Sequence, residues 1–268
     1  TTPYSITPNK FLFRGSPIEP ILLDAAEGML TYEGSATAKK AGNTQERIHT
    51  LQALDEMLSK ESGSIFAETH NALMRTSLQD SERVSAQLEG VSLTYDWASA
   101  IASSPNADVV QQMRQASLVI ASRTALEAER DVFLVELGGF DAHSDLMDTH
   151  TDNFKAMDAA FEAFTSEMKA QGVWDRVTLM AISDFARTMT TNGRGTDHAW
   201  GGNYFLFGGD VKGGVVHGLY PEVRTDGPDS ISSTGQILPT TPWEGLWKPV
   251  AEWLGVYDNK MAQVFPNL

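Results

Sequence analysis

Between Val132 and Gly202 the chain carries short apolar runs, each stopped by glycine or by a polar cluster. Val132-Phe133-Leu134-Val135-Glu136-Leu137 ends at Gly138-Gly139, and Val177-Thr178-Leu179-Met180-Ala181-Ile182 ends at Ser183-Asp184. A third run, Tyr204-Phe205-Leu206-Phe207, is closed by Gly208-Gly209. Runs this short, bounded by turn residues, read as buried strands. Residues 150 to 171, between the first two runs, show helical periodicity, with Phe154, Met157, Phe161, Phe164 and Met168 on one side. Strand, helix, strand predicts a right-handed βαβ unit. Its loops would lie at the carboxyl ends of the strands, where α/β proteins gather their chemistry.

Three polar clusters fall at these ends: Gly138-Gly139-Phe140-Asp141-Ala142-His143-Ser144-Asp145, Ser183-Asp184-Phe185-Ala186-Arg187, and Gly193 to Gly202 with Asp197-His198 at its centre. In extended backbone, residues i and i+2 point the same way, so Asp141 and His143 can reach one ion. Asp145 and His150 stand near enough to support them. Asp184 ends the second strand, and Asp197-His198 sits in a glycine-rich loop that lets the backbone aim both side chains. Mixed oxygen and nitrogen ligands suit zinc or manganese, and carboxylates alone would suit calcium. Arg187, three residues after Asp184, is the candidate clamp for an anionic substrate oxygen. Taken singly, an Asp after a strand serves as a turn or cap residue. Three clusters at successive strand ends favour a shared metal site instead.

The chain upstream looks like scaffold. Residues 1–43, interrupted by Pro3, Pro8, Pro17 and Pro20, read as an irregular segment that needs a partner surface. Residues 44–130 read as helices of the same domain. The first carries Ile48, Leu51, Leu54 and Leu58 at helical spacing. A second, from about Ser64 to Ala102, has Phe66, Leu73, Leu78, Val84, Leu88 and Leu93 facing inward. A third begins after Ser103-Ser104-Pro105-Asn106. Residues 131–268 form the α/β part that carries the metal site.

Composition removes several classes. With 35 acidic against 20 basic residues the net charge is −15, which repels nucleic acid. The absence of cysteine excludes disulfides, thiolate-bound zinc and a thiol nucleophile. No apolar run reaches the ~20 residues that span a bilayer. No Gly-x-Ser-x-Gly elbow, P-loop or dinucleotide fingerprint is present. The chain starts at Thr1-Thr2-Pro3, which suggests a processed product or a fragment.

The motifs Gly-Gly-Phe-Asp-Ala-His at 138 to 143, Ser-Asp-Phe-Ala-Arg-Thr at 183 to 188, and Asn-Gly-Arg-Gly-Thr-Asp-His-Ala-Trp-Gly-Gly at 192 to 202 together resemble a bacterial family, domain of unknown function fifteen-oh-one. The likeness extends through Phe-Gly-Gly-Asp-Val-Lys-Gly-Gly at 207 to 214, Gly-Leu-Tyr-Pro at 218 to 221 and Phe-Pro-Asn-Leu at 265 to 268. By distant similarity that family is placed with the alkaline phosphatases and sulfatases, and its members are typically exported. The resemblance implies a three-layer α/β/α sandwich, here lacking its amino-terminal strands, with divalent ions at the strand ends. Asp141 and His143 then resemble the ligands of one ion, joined by His198 with Asp197 beside it. Asp184 resembles the first residue of an Asp-His pair at the other ion, but its neighbour Phe185 cannot ligate.

The resemblance thus implies an exported (periplasmic, cell-surface or extracellular) metal-dependent hydrolase of phosphate or sulfate esters. Its cofactor would be zinc, manganese or calcium, and its substrate a small anionic ester. Such a fold's nucleophile and a further carboxylate would precede Thr1, in a cleaved precursor or a separate amino-terminal chain. The alternative is a non-catalytic exported structural or adhesive protein that keeps the fold and a structural metal.

Overall fold

A computed structural model describes residues 2–9, 11–14, 18–29 and 44–267. The chain divides into two compact units. One comprises Thr1–Leu137 with Ala156–Ala170, the other Gly138–Lys155 with Gln171–Leu268. It is a mixed α/β protein with small sheets.

The first unit is built on a parallel sheet of three strands, β1 (Thr2–Ser5), β2 (Ile21–Leu22) and β3 (Asp131–Leu134), in the order β2-β1-β3. Residues 1–43 were expected to be irregular, yet β1 is the central strand of this sheet, and Pro3, Tyr4 and Ser5 are buried. Pro3 hides the strand in the sequence but does not break it. Thr2 N–H donates to Arg130 O and Ile6 N–H to Leu134 O, both towards β3. Pro3 is out of phase with them, so its missing N–H falls on the other side, where β2 begins only opposite Tyr4. Pro8 and Pro20 lie outside the strands, and Pro17 and residues 30–43 lie outside the described residues.

Helices α1 (Thr44–Ser59), α2 (Ile65–Leu88), α3 (Trp97–Ser103) and α4 (Ala107–Ala121) follow. The side chains of Ile48 and Leu51 lie outside the described residues, and Leu58 is buried. The single helix expected from Ser64 to Ala102 is two helices. Gly90, at φ +75°, turns the chain out of α2, and Asp96 restarts it by accepting the Ser99 N–H as an N-cap. The intervening loop is held by Glu167, a buried carboxylate that accepts the Thr94 and Tyr95 N–H groups at 2.9 and 2.8 Å. Val84 faces inward as expected, but Phe66 (84% exposed) and Leu73 (60%) do not. Helix α4 carries the core stripe Val109, Val110, Met113, Ala116 and Val119. Its Gln112 brackets the Glu136 backbone, donating to Glu136 O and accepting from Glu136 N–H, and so fixes the chain leaving β3.

Helix α5 (Leu146–Ala170) buries Ala156, Ala160, Ala163, Phe164 and Met168, while Phe154 is exposed. The βαβ expectation fails here. Strand β4 (Thr178–Ala181) pairs antiparallel with β7 (Phe205–Gly208), and β3 pairs in parallel with β1 instead. Short apolar runs carry no direction, so periodicity alone could not choose the partner.

In the second unit a hairpin of β5 (Ala186–Thr191) and β6 (Thr196–Ala199) stands where a loop was expected. Its turn is closed by Asn192, whose Oδ1 accepts the N–H groups of Arg194 and Gly195. Met189 and Thr190 add N–H bonds to Gly235 and Thr234, so a loop covers the free edge of β5. The last helices are α6 (Glu244–Trp253) and α7 (Asp258–Val264). No helix among the described residues is long and apolar enough to cross a membrane.

Tyr4 stacks on Phe133 inside the first unit, and burial, then the Asp131 charge, push its phenol up from the ordinary value of 10.0 to about 12. A raised folded value means that the neutral phenol favours the fold. That contribution is complete below pH 10 and is lost as the pH climbs from about 10 to 12. Chemical denaturation across this range is expected to show falling stability in the wild type and a shallower fall in Tyr4→Phe. Equal slopes would exclude Tyr4 as the source.

Candidate metal centre

The site lies within the second unit and draws on two backbone segments. The first runs from Gly138 to Asp145. Gly139, at φ +89°, bends it, and a Cβ there would lie 3.0 Å from the Asn153 amide. The second is the hairpin. Register pairs Arg187 on β5 directly with His198 on β6, so both side chains project from one face.

Gly195 lets the two segments meet. A Cβ at this position would lie 2.5 Å from Ala142 O and closer still to the His143 carbonyl carbon. With hydrogen there instead, Thr196 N–H reaches Ala142 O at 3.3 Å.

Three side chains then converge. His198 Nε2 lies 2.9 Å from Asp141 Oδ1, His143 Nε2 lies 3.0 Å from the same oxygen, and the two Nε2 atoms are 3.1 Å apart. All three side chains are about half exposed, so the group opens to solvent. Hydrogen bonds cannot satisfy all three edges of this triangle at once. A neutral imidazole has one N–H, and a proton between the two nitrogens is not available to Asp141. Edges of 2.9–3.1 Å are close to, and a little shorter than, the roughly 3.3–3.6 Å between neighbouring ligands of a tetrahedral ion. Two imidazoles and one carboxylate are a donor set for zinc or manganese rather than calcium. Asp141, His143 and His198 could therefore hold such an ion.

Each member has a partner of its own. The Arg187 guanidinium pairs with Asp141 Oδ1. Partial burial is the largest single influence on the Asp141 carboxyl and acts to raise it. The hydrogen bonds from His198 and Arg187 and the nearby imidazoles outweigh this and hold it below the usual carboxylate range. Asp197 Oδ1 lies 3.4 Å from His143 Nδ1, the nitrogen opposite the triangle. Asn192 Nδ2 donates to the same Asp197 oxygen, and Thr188 Oγ1 accepts the Asp197 N–H. The Phe185 ring lies against the His198 imidazole, centroids 4.3 Å apart and 29° from parallel, and the Arg187 Cζ stands 5.9 Å from the Phe185 centroid.

Of the five candidate ligands, then, the structure gathers Asp141, His143 and His198. Asp197 stands behind His143, and Asp184 lies outside the group. Asp184 is exposed three residues beyond β4, and burial, then the Asp184 charge, raises the Tyr204 phenol. Nor do the expected supporting residues serve the triangle. Asp145 pairs with Arg194, and His150 bonds Phe140 O and packs against Phe140 and Phe154. The sequence did not reveal Phe185 as a contact of His198, although its place beside Asp184 in a β-edge motif was a signal.

Residues 16–241 match the family described as Protein of unknown function (DUF1501), and the chain belongs to that family. No curated protein and no solved structure matches it.

Gly195→Ala is expected to lower the unfolding free energy by about 1–3 kcal/mol in denaturant titrations, because overpacking must push the Ala142-His143 backbone away. A variant as stable as the wild type would show that these segments are not in fixed contact.

Proposed function

We propose, starting from that family membership and from the Asp141–His143–His198 triangle, that the chain is an exported metal-dependent hydrolase of phosphate or sulfate esters on an alkaline-phosphatase-like fold. The observation that carries the proposal is the meeting of three ligand atoms at coordination spacing on an open surface. A buried structural site closes all four positions around its ion, whereas a catalytic one leaves a position for water or substrate. The half-exposed triangle is of the second kind. The substrate class and the location are what the motif resemblance implies.

When bound, a divalent ion would polarise an ester oxygen and lower the pKa of a water molecule. The chain's own residues hold and orient. Asp141 presents its carboxylate as an acceptor, and its depressed pKa keeps it ionised near neutral pH. Asp197 Oδ1, 3.4 Å from His143 Nδ1, favours a proton on that nitrogen, which would leave the Nε2 lone pair facing the triangle; Asp197 is then an orienting partner rather than a ligand. Phe185 covers one face of His198 and limits the ring's rotation. No residue described here is assigned as nucleophile.

One feature favours the second reading, a non-catalytic protein with a structural ion. Phe185 fills a place beside His198 that the resemblance gives to a ligand, and Asp184 stands apart, so the described residues form one site.

Protein purified without chelators is expected to hold about one divalent ion per chain by elemental analysis, with zinc or manganese predominating. Asp141→Ala and His198→Ala should each lose it. Full occupancy surviving both substitutions would remove the site assignment. Turnover of aryl phosphates or sulfates that disappears with chelator and returns with metal would exclude the structural reading. Retained metal and thermal stabilisation without turnover would support it.

A further inference from the structure

Arg187 enters from the sequence as a clamp for a substrate anion, but its surroundings leave it little freedom for that. Nε donates to Thr196 Oγ1 at 3.0 Å, and Nη2 donates to Ala142 O at 2.9 Å and also to Thr196 O. Nη1 donates to Asp141 Oδ1. Four of the five guanidinium N–H donors are thereby engaged within the chain. The side chain is only 16% exposed, against 52% for Asp141.

What those bonds join is informative. Asp141 and His143 come from a segment with no strand ladder of its own, whereas His198 sits on β6. Among the described backbone bonds, Thr196 N–H to Ala142 O and the long Leu146 N–H to Arg194 O tie that segment to the hairpin. Arg187 adds a second bond to the same Ala142 carbonyl, a contact to Asp141, and two anchors on Thr196. One planar group thus spans the ligand segment and the strand that bears the third ligand. We infer that Arg187 is a positioning residue: it clips the Asp141-x-His143 segment to β6 so that the three donor atoms meet. This inference rests on the metal assignment made above for the triangle.

Charge alone predicts the opposite effect. A guanidinium beside Asp141 Oδ1 repels an incoming cation, so an Arg187 that acted only electrostatically would weaken metal binding, and its removal would tighten it. Geometry acts the other way. A segment already clipped in place loses less freedom when the ion binds. Lysine separates the two, because it keeps the charge but not the planar fork.

The test is calorimetric titration of the metal-free 268-residue chain with Zn2+ and with Mn2+, for wild type, Arg187→Lys, Arg187→Met and Thr196→Val. Metal-free melting temperatures are measured in parallel. Arg187→Lys and Arg187→Met are each expected to lose about 10- to 100-fold in affinity, the loss typical of groups that orient metal ligands. Thr196→Val removes only the Nε acceptor and should lose less, in the same direction. Inorganic phosphate is then titrated into the zinc-loaded proteins at saturating metal. Positioning predicts phosphate affinity close to wild type once the ion is bound. A phosphate loss in Arg187→Lys with unchanged metal affinity would make Arg187 the clamp and overturn the inference. Tighter metal binding by Arg187→Met would overturn it in favour of charge. Should the Arg187 variants fail to fold, unchanged metal affinity in Thr196→Val overturns it. Wild-type protein that binds neither ion defeats the metal assignment and this role together, whereas wild-type binding with unaltered variants defeats the role alone.

Discussion

The close approach of two backbones, Ala142-His143 and Gly195-Thr196, is the constraint on which the chemistry of this chain depends. No side chain larger than hydrogen fits at Gly195. That requirement places Ala142 O where both Thr196 N–H and the Arg187 guanidinium can reach it. It also fixes the distance between a ligand pair on one segment and a ligand on the other. The Asn192 turn serves the same end, since its side chain closes the hairpin just before Gly195 and sets the phase of β6. Glycine and asparagine are thus as much part of the site as the residues that bear lone pairs.

The three side chains that converge were legible as candidates, because spacing is a local property. Asp141 and His143 stand at i and i+2, and His198 lies within a glycine-rich run, so residue type and backbone freedom point to them directly. Partner choice was not legible. Whether Arg187 faces a substrate or a carbonyl depends on a strand pairing 9 residues away and on a segment 46 residues away. Nothing in the cluster Ser183 to Arg187 encodes that. Asp184 was grouped with the three side chains for a related reason. Strand β5 begins only at Ala186, so alternation along it does not set the direction of Asp184, and single-sequence patterns fix such boundaries poorly.

The same contrast holds for the scaffold. Helix α4 was readable because its apolar stripe is continuous, whereas β1 was not, because four residues containing a proline carry no period. What identifies β1 as a central strand is burial on both faces and ladders to two neighbours, and both are properties of the folded chain. The exposed Phe66 and Leu73 show the reverse error: helical spacing existed, but no surface in the described structure covers that side.

Charge narrows what an ion at the triangle would do. The chain as a whole carries −15, a field that concentrates divalent cations and repels anionic esters. Arg187, beside the triangle, is engaged with Asp141 and with backbone carbonyls and has little freedom to meet a substrate. An anionic substrate would therefore find its main attraction in the ion itself, and affinity for substrate would follow metal occupancy. Phe185 sharpens the point. Its ring lies against the face of His198, and the described residues gather one group of ion-binding side chains, so the charge available to an anion would be that of one ion held by two imidazoles and one carboxylate. Two neutral imidazoles and a single carboxylate leave a divalent ion one net positive charge, enough to bind a small anion but not to disperse the charge of a phosphoryl group between two metals. If the site is catalytic, the described residues offer it one ion-binding group, and its remaining stabilisation would come from hydrogen-bond donors around the open side of the triangle.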